Sequence, residues 1–316
     1  MRYPKSGRFG VCPKLAEFGD NVPMALNVGL IGTGGWAQVT HAPAIAAHPG
    51  TTLTAVYGRN PDKAAAIAQP HGAAVATSVP ELLDQVDAVA FAVPPALQAD
   101  WAIQAAGAGK HLILDKPLAP TATKAAEVLE AVEQAGVASI MLLTQRFAPQ
   151  TRDWLSEVDR TGGWVAGSVR FVAGGLLDPM FKDSQWRQED LGALLDLGPH
   201  SLDLAEAALG PVREVASAQL AGQGLMTLAL SHESGAVSTV TMALRIPDTA
   251  AADVVLWGEH GERRLELWQA TAQECYSVML DEFLSTVDSP GHPCDARRGY
   301  ELQVLIELIT NHLKRN

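Results

Sequence analysis

The sequence is poor in cysteine, in aromatic side chains and in positive charge. Its 316 residues include three cysteines, Cys12, Cys275 and Cys294. Their odd number and wide spacing give neither a disulfide framework nor a CxxC zinc pattern, and they fit a reducing, cytoplasmic setting. The 23 Lys+Arg face 35 Asp+Glu, leaving a formal net charge of −12 with no basic run. Such a field repels a phosphate backbone and argues against a nucleic-acid partner. The longest apolar stretches, residues 88–97 and 137–143, fall well short of the ~20 residues of a membrane span. No metal pattern is present: His41, His48 and His71 lack paired-ligand spacing, and His232, His260 and His292 sit near turns. A GxSxG elbow and a catalytic Cys–His arrangement are also missing, and Cys275 and Trp268 read as core residues. What is abundant is apolar material, 47% of the chain against 18% charged, which excludes disorder. Ordinary glycine (28) and proline (19) contents exclude collagen-like and linker-like chains.

The length points to two domains. Residues 1–23, without periodicity, read as a flexible extension or as a start placed too early, because Met24 runs directly into an apolar strand. The alternative is an ordered arm packed on the surface or on a partner subunit. The extension carries four Lys/Arg and two Asp/Glu, a net +2, so residues 24–316 carry −14 of the total −12.

Between residues 24 and 144, strands and helices alternate. Strands are expected at Leu26–Ile31, 53–57, 87–93, His111–Leu114 and 137–143, and helices at 37–47, 61–69, 98–108 and 121–134. Asn60 reads as an N-cap, Pro61 as a first helical residue, and Gly109 and Gly136 as C-terminal stops. This alternation implies a doubly wound parallel sheet. Residues 145–316 change style. Strands at 164–171, 214–220, 226–230, 237–244, 253–257 and 263–267, with short turns, imply a large open, mainly antiparallel sheet. Helices at 149–159, 193–209, 271–287 and Ala296–Leu313 bracket it. The fold class is therefore α/β with a second, α+β domain.

Gly32-Thr33-Gly34-Gly35-Trp36-Ala37 is a G-x-G-x-x-A sequence between a strand and a helix. Gly32 permits the tight turn, Gly34 lets a pyrophosphate approach the backbone, and Ala37 allows close helix–strand packing. The helix N-terminus offers free N–H groups to the phosphates. Trp36 either covers the pyrophosphate or packs. At the end of the second strand, Gly58-Arg59-Asn60 lacks the carboxylate that binds a ribose 2′-hydroxyl in NAD enzymes. The Arg59 guanidinium suits a 2′-phosphate instead, so NADP(H) is the expected cofactor, with NAD(H) the alternative.

Two further segments carry a resemblance. Residues 108–119, AGKHLILDKPLA, are similar to the signature AGKHVxxEKPLA. Residues 192–203, GALLDLGPHSLD, are similar to GGGxLxDxGxHxxD. With the glycine loop, Val93-Pro94-Pro95, Arg146-Phe147-x-Pro149 and Trp186-Arg187, the chain from about residue 25 to 310 resembles the glucose–fructose oxidoreductase, inositol dehydrogenase and rhizopine catabolism (Gfo/Idh/MocA) family. The resemblance implies a Rossmann domain and an α/β domain whose open sheet makes homodimer or homotetramer contacts. It implies NAD(P)-dependent hydride transfer at a hydroxyl or keto carbon of a sugar or polyol.

Lys116, Asp196 and His200 match the family's catalytic positions, and Pro117 its frequent cis proline. Lys116 is assigned as the main proton carrier, His200 as a substrate-binding auxiliary acid/base and Asp196 as their orienter, the first two roles being exchangeable. Asp196 and His200, four apart, are neighbours on one helix face; Asp203 continues it and reads as structural. Arg146, Trp186 and Arg187 are candidate substrate contacts, with a domain-junction salt bridge the other reading of Arg146. Val93, Pro94, Gln98, Asp115 and Pro117 complete the expected cofactor site. The chain departs from the pattern in having Asp115 for Glu, Gln98 for a common His, and Gly192 alone of three glycines. The competing readings are a non-catalytic NAD(P)-sensing protein of this fold and a reductase of a non-sugar ring.

Overall fold

The computed structural model describes residues 25–178, 181, 184–247 and 250–315, so the expectations for residues 1–23 lie outside the described residues. The first sheet is built from β1 (Leu26–Ile31), β2 (Thr51–Tyr57), β3 (Ala74–Val75), β4 (Ala88–Phe91), β5 (His111–Leu114) and β6 (Ser139–Met141). Its order is β3-β2-β1-β4-β5-β6 and every pairing is parallel. The strands read as apolar runs because helices cover both faces of such a sheet; Leu30, Ile31, Phe91, Leu112 and Ile113 are fully buried. Its helices are α1 (Ala42–Ala47), α2 (Pro61–Ala68), α3 (Val79–Leu83), α4 (Pro95–Gly107) and α5 (Ala122–Ala135). Asn60 caps α2 by accepting from the N–H groups of Asp62 and Lys63. Gly136 closes α5 at φ +64°. In this half the two-residue β3 and the five-residue α3 have no counterpart in the sequence reading, nor has the short helix Gln185–Gln188 of the second half. Strand 87–93 is shorter than expected, and α4 begins at Pro95 rather than Gln98, since a proline ring is already set for the first helical turn.

The second part comprises α6 (Pro149–Thr161), β7 (Trp164–Ala173), α7 (Gln185–Gln188), α8 (Gly192–Leu209), β8 (Val212–Leu220), β9 (Met226–His232), β10 (Val237–Ala243), β11 (Ala250–Gly258), β12 (Gly261–Glu266), α9 (Ala272–Thr286) and α10 (Ala296–Leu313). The six strands run in the order β12-β11-β7-β10-β9-β8. All neighbours are antiparallel except β7 and β10, which are parallel. The inner face packs on α8, which is buried along most of its length.

The chain then returns to the nucleotide-binding half. Helix α9 packs on α1, and α10 on α5. Tyr276 and Phe283 of α9 are fully buried there, and Phe283 meets His111 edge-on at 6.5 Å. Cys275 is buried in the same helix, which pushes its thiol up to about 11. No helix among the described residues is long and apolar enough to cross a membrane.

Candidate active site

The glycine loop closes the end of β1. Gly32 adopts φ +133°, and a Cβ there would lie 2.2 Å from the Ala92 carbonyl oxygen. Hydrogen bonds on both flanks, Gly32 N–H to Tyr57 O and Ala92 N–H to Ile31 O (both 2.9 Å), fix the turn. A Cβ on Gly34 would meet nothing within 4 Å, which leaves the approach that a phosphate needs. Gly58 packs under Thr33, whose Cγ2 would stand 2.4 Å from an added Cβ. Arg59 is exposed at the β2 end and makes no hydrogen bond or ion pair among the described residues. Asn60 is spent as the α2 cap. Val93 is half-buried, and Pro94, exposed, precedes the first turn of α4.

After the loop the helix opens as one π-turn, Ala37–His41, before α1. π-Turns recur at functional sites because they redirect a side chain without ending the helix. Here His41 is fully buried. Its Nδ1 bonds the Tyr276 hydroxyl at 3.0 Å, and its Nε2 stands 3.8 Å from Oδ2 of Asp115. Burial raises the Asp115 pKa, but His41 and Lys116 outweigh it and hold the carboxyl below its usual range. No local motif marks His41, because its partners are Asp115, just past β5, and Tyr276 of α9, 235 residues away.

Gln98, expected in the cofactor site, holds the segment around Lys116. It is buried, and its amide nitrogen donates to the carbonyls of Asp115 (2.6 Å), Pro117 (3.2 Å) and Leu118 (3.1 Å). Its oxygen accepts the Asp115 N–H at 2.8 Å. Four bonds from one side chain clasp the segment that carries Lys116, whose peptide to Pro117 is cis.

Lys116 reaches across to α8. Its Nζ donates to Oδ1 of Asp196 at 2.6 Å and to the Asp196 carbonyl at 2.8 Å. Pro199 sits inside α8 and has no N–H for the Leu195 carbonyl, which loosens this turn. Arg187 brings Nη2 to the same Oδ1 at 3.0 Å. Burial raises the Asp196 pKa, but Lys116 and then Arg187 outweigh it and hold the carboxyl well below the usual range. The Arg187 guanidinium lies 4.2 Å over Trp186 and 4.9 Å over Phe181, and Phe181 meets Trp36 of the glycine loop at 6.4 Å. Gly192 is the one position of the reduced glycine triplet where none but glycine fits: a Cβ would lie 1.9 Å from the Arg187 carbonyl oxygen.

His200 stacks on Phe171 (6.2 Å, 16°), and its buried Nδ1 has no hydrogen-bond partner among the described residues. Burial, reinforced by Lys116, pushes the imidazole pKa down to about 3. The ring is therefore neutral across the physiological range. Arg146 takes the structural of its two readings. Its Nη1 donates to both oxygens of Asp203 at 3.0 Å, and Arg298 Nε donates to Oδ1 at 2.8 Å. Asp203 is fully buried and ties the domain junction to α8 and α10. Trp268 is 42% exposed rather than a core residue.

Comparison with known proteins places this geometry. Residues 26–142 match the GFO/IDH/MocA oxidoreductase family with NAD-binding Rossmann fold, and residues 163–264 match its C-terminal domain. The chain belongs to the GFO/IDH/MocA family. Among curated relatives of this family, the dTDP-3,4-didehydro-2,6-dideoxy-alpha-D-glucose 3-reductase of Streptomyces violaceoruber is 33% identical over 201 residues, 62% of this chain and 58% of the relative. The D-xylose 1-dehydrogenase (NADP(+)) 2 of Haloferax volcanii is 29% identical, covering 70% of each chain. The chain matches about six-tenths of the length of the first of these relatives. The fold is shared with GenD2 from gentamicin A biosynthesis in complex with NAD (TM-score 0.83, 22% identity, 95% of this chain and 97% of that one). It is also shared with levoglucosan dehydrogenase in complex with NADH and levoglucosan (TM-score 0.82, 20% identity, 92% and 98%).

Proposed function

We propose that this family member is an NADP(H)-dependent oxidoreductase that transfers hydride between the nicotinamide and a hydroxyl or keto carbon of a sugar or polyol. The observation that carries the reading is the convergence of Lys116 Nζ on Asp196 at 2.6 Å, one helical turn before a neutral His200. The open approach at Gly34 and the constrained Gly32 fit a dinucleotide. Gly32 to Ala37, Gly58 and Arg59 would hold it, with Asp115, Lys116 and Pro117 near its reactive end. When bound, the cofactor supplies the hydride acceptor or donor. Lys116 holds or releases the hydroxyl proton at Nζ. Asp196 fixes that ammonium through Oδ1, and its carboxylate accepts a substrate hydroxyl. His200 orients the same hydroxyl by hydrogen bonding. NADP(H) preference rests on the unpaired Arg59 and on the absence of a carboxylate beside it; the name of the Haloferax relative agrees.

The test is turnover. Purified protein with NADP⁺ or NAD⁺ and a panel of hexoses, pentoses and cyclic polyols should form reduced nicotinamide, and Lys116→Ala should abolish it. Tight cofactor binding with no turnover across the panel favours the sensor reading instead. A homodimer or homotetramer through the second sheet belongs to the same proposal. Val237 and Trp257, both exposed, flank Ala166 on the outer face of that sheet. Trp257→Glu should lower the mass found by light scattering.

A further inference from the structure

Trp268 lies where β12 hands over to α9, at φ +60°. A bulky residue in the left-handed region stores strain and persists only where its surroundings impose it. The imposition is visible. Its N–H donates to Oε1 of Gln145 at 3.3 Å, Gln145 is buried at the domain junction, and the preceding Leu267 N–H bonds Ala252 O at 2.9 Å. The indole that this backbone presents is 42% exposed. It meets Phe171 edge-on (6.0 Å, 82°), and Phe171 is the ring that stacks on His200. Ala252 pairs with Phe171 across β11 and β7. Trp268 therefore stands at the end of the sheet from which β7 runs on toward Trp186 and Arg187. Arg187, stacked on Trp186, meets Asp196 in the site, and Trp268 meets the ring on which His200 stacks.

We propose that Trp268 is an outer stacking platform of the substrate cleft and that it takes a second ring, attached beyond the ring on which hydride transfer occurs. The placement of the reacting ring rests on the oxidoreductase reading above. Trp268 is set apart from His200 by the Phe171 ring, with centroid spacings of 6.2 and 6.0 Å, so a ring lying over the indole is a different ring from the one whose hydroxyl bonds that histidine. An indole face suits the C–H face of a sugar or the face of an aryl group. The preferred substrate is thus a glycoside whose sugar or aryl aglycone lies over Trp268, rather than a free monosaccharide.

The experiment is calorimetry on the NADPH-saturated protein with methyl glycosides, p-nitrophenyl glycosides and disaccharides of the gluco, galacto and xylo series. The wild type should bind a two-ring ligand roughly tenfold tighter than its methyl counterpart. The gap should vanish in Trp268→Ala and survive largely in Trp268→Phe; the arm with the wider gap identifies the aglycone. No gap in the wild type overturns the proposal. So does an unchanged gap in Trp268→Ala, including one accompanied by a changed oligomeric mass. Turnover is followed in parallel: the expected gap without turnover leaves the platform standing and removes the catalytic reading, and turnover without a gap does the reverse.

Discussion

Lys116 and Asp196 are joined twice, through the carboxylate Oδ1 and through the main-chain carbonyl of the same residue. The ammonium is thereby aimed by the main chain of α8 as well as by a side chain. Arg187 draws on the same Oδ1, so a single negative charge serves two cations. Asp196→Asn keeps the volume and removes that charge. Its kcat/KM is expected to fall ~10²–10³-fold, with cofactor Kd within about threefold. Steady-state kinetics and nicotinamide fluorescence check this, and an undiminished rate would remove Asp196 from the machinery.

His200, pushed down to about 3, should show no imidazole titration between pH 5 and 8 by NMR. The sign for stability follows. A histidine whose folded pKa lies below its ordinary value near 6.5 contributes stability present above 6.5 and lost as pH falls toward about 3. The stability difference between wild type and His200→Gln should therefore shrink on acidification through that window in denaturant titrations.

Asp203 compensates Arg146 and Arg298, all three largely withdrawn from solvent. Asp203→Asn leaves two buried guanidinium groups short of a partner and should cost ~3–5 kcal/mol in urea unfolding. Burial raises the Asp203 pKa, but Arg146 and Arg298 outweigh it and lower it. Its contribution is present above the ordinary carboxylate value and fades as pH falls through the folded one.

Arg59→Asp should reverse or flatten cofactor preference, lowering the NADP(H)/NAD(H) ratio of kcat/KM by roughly tenfold or more, the scale of one charged hydrogen bond. An unchanged ratio assigns the choice to other residues.

The parallel sheet was legible because its strands are continuous apolar runs, and the glycine loop because a tight turn and a phosphate approach restrict residue type locally. Lys116 and Asp196, named from two motifs 80 residues apart, do meet in space, and His200 follows Asp196 by one turn of α8. What stayed hidden was non-local or too short. Ala74–Val75 and Val79–Leu83 are too brief to show a period. The clasp of Gln98 depends on carbonyls 17–20 residues onward, and the burial of His41 on a one-residue shift in helix hydrogen bonding. Trp268 sits beside Leu265 and Leu267 at the end of a strand, where core residues are expected, yet it is 42% exposed. The return of α9 and α10 to the first sheet is likewise set by tertiary packing, because amphipathic helices do not name the surface they cover.

The parallel pairing of β7 with β10 bears on the order of assembly. β7 ends at residue 173, but its two neighbours begin at residues 237 and 250. During synthesis the central strand of the second sheet thus emerges long before either edge can be filled, whereas in the first sheet every pairing but β1 with β4 joins consecutive strands. Contacts of such sequence separation form slowly. The helix bearing Asp196 and His200 emerges in that interval, so the nucleotide cradle can exist on the ribosome well before the chemistry it serves.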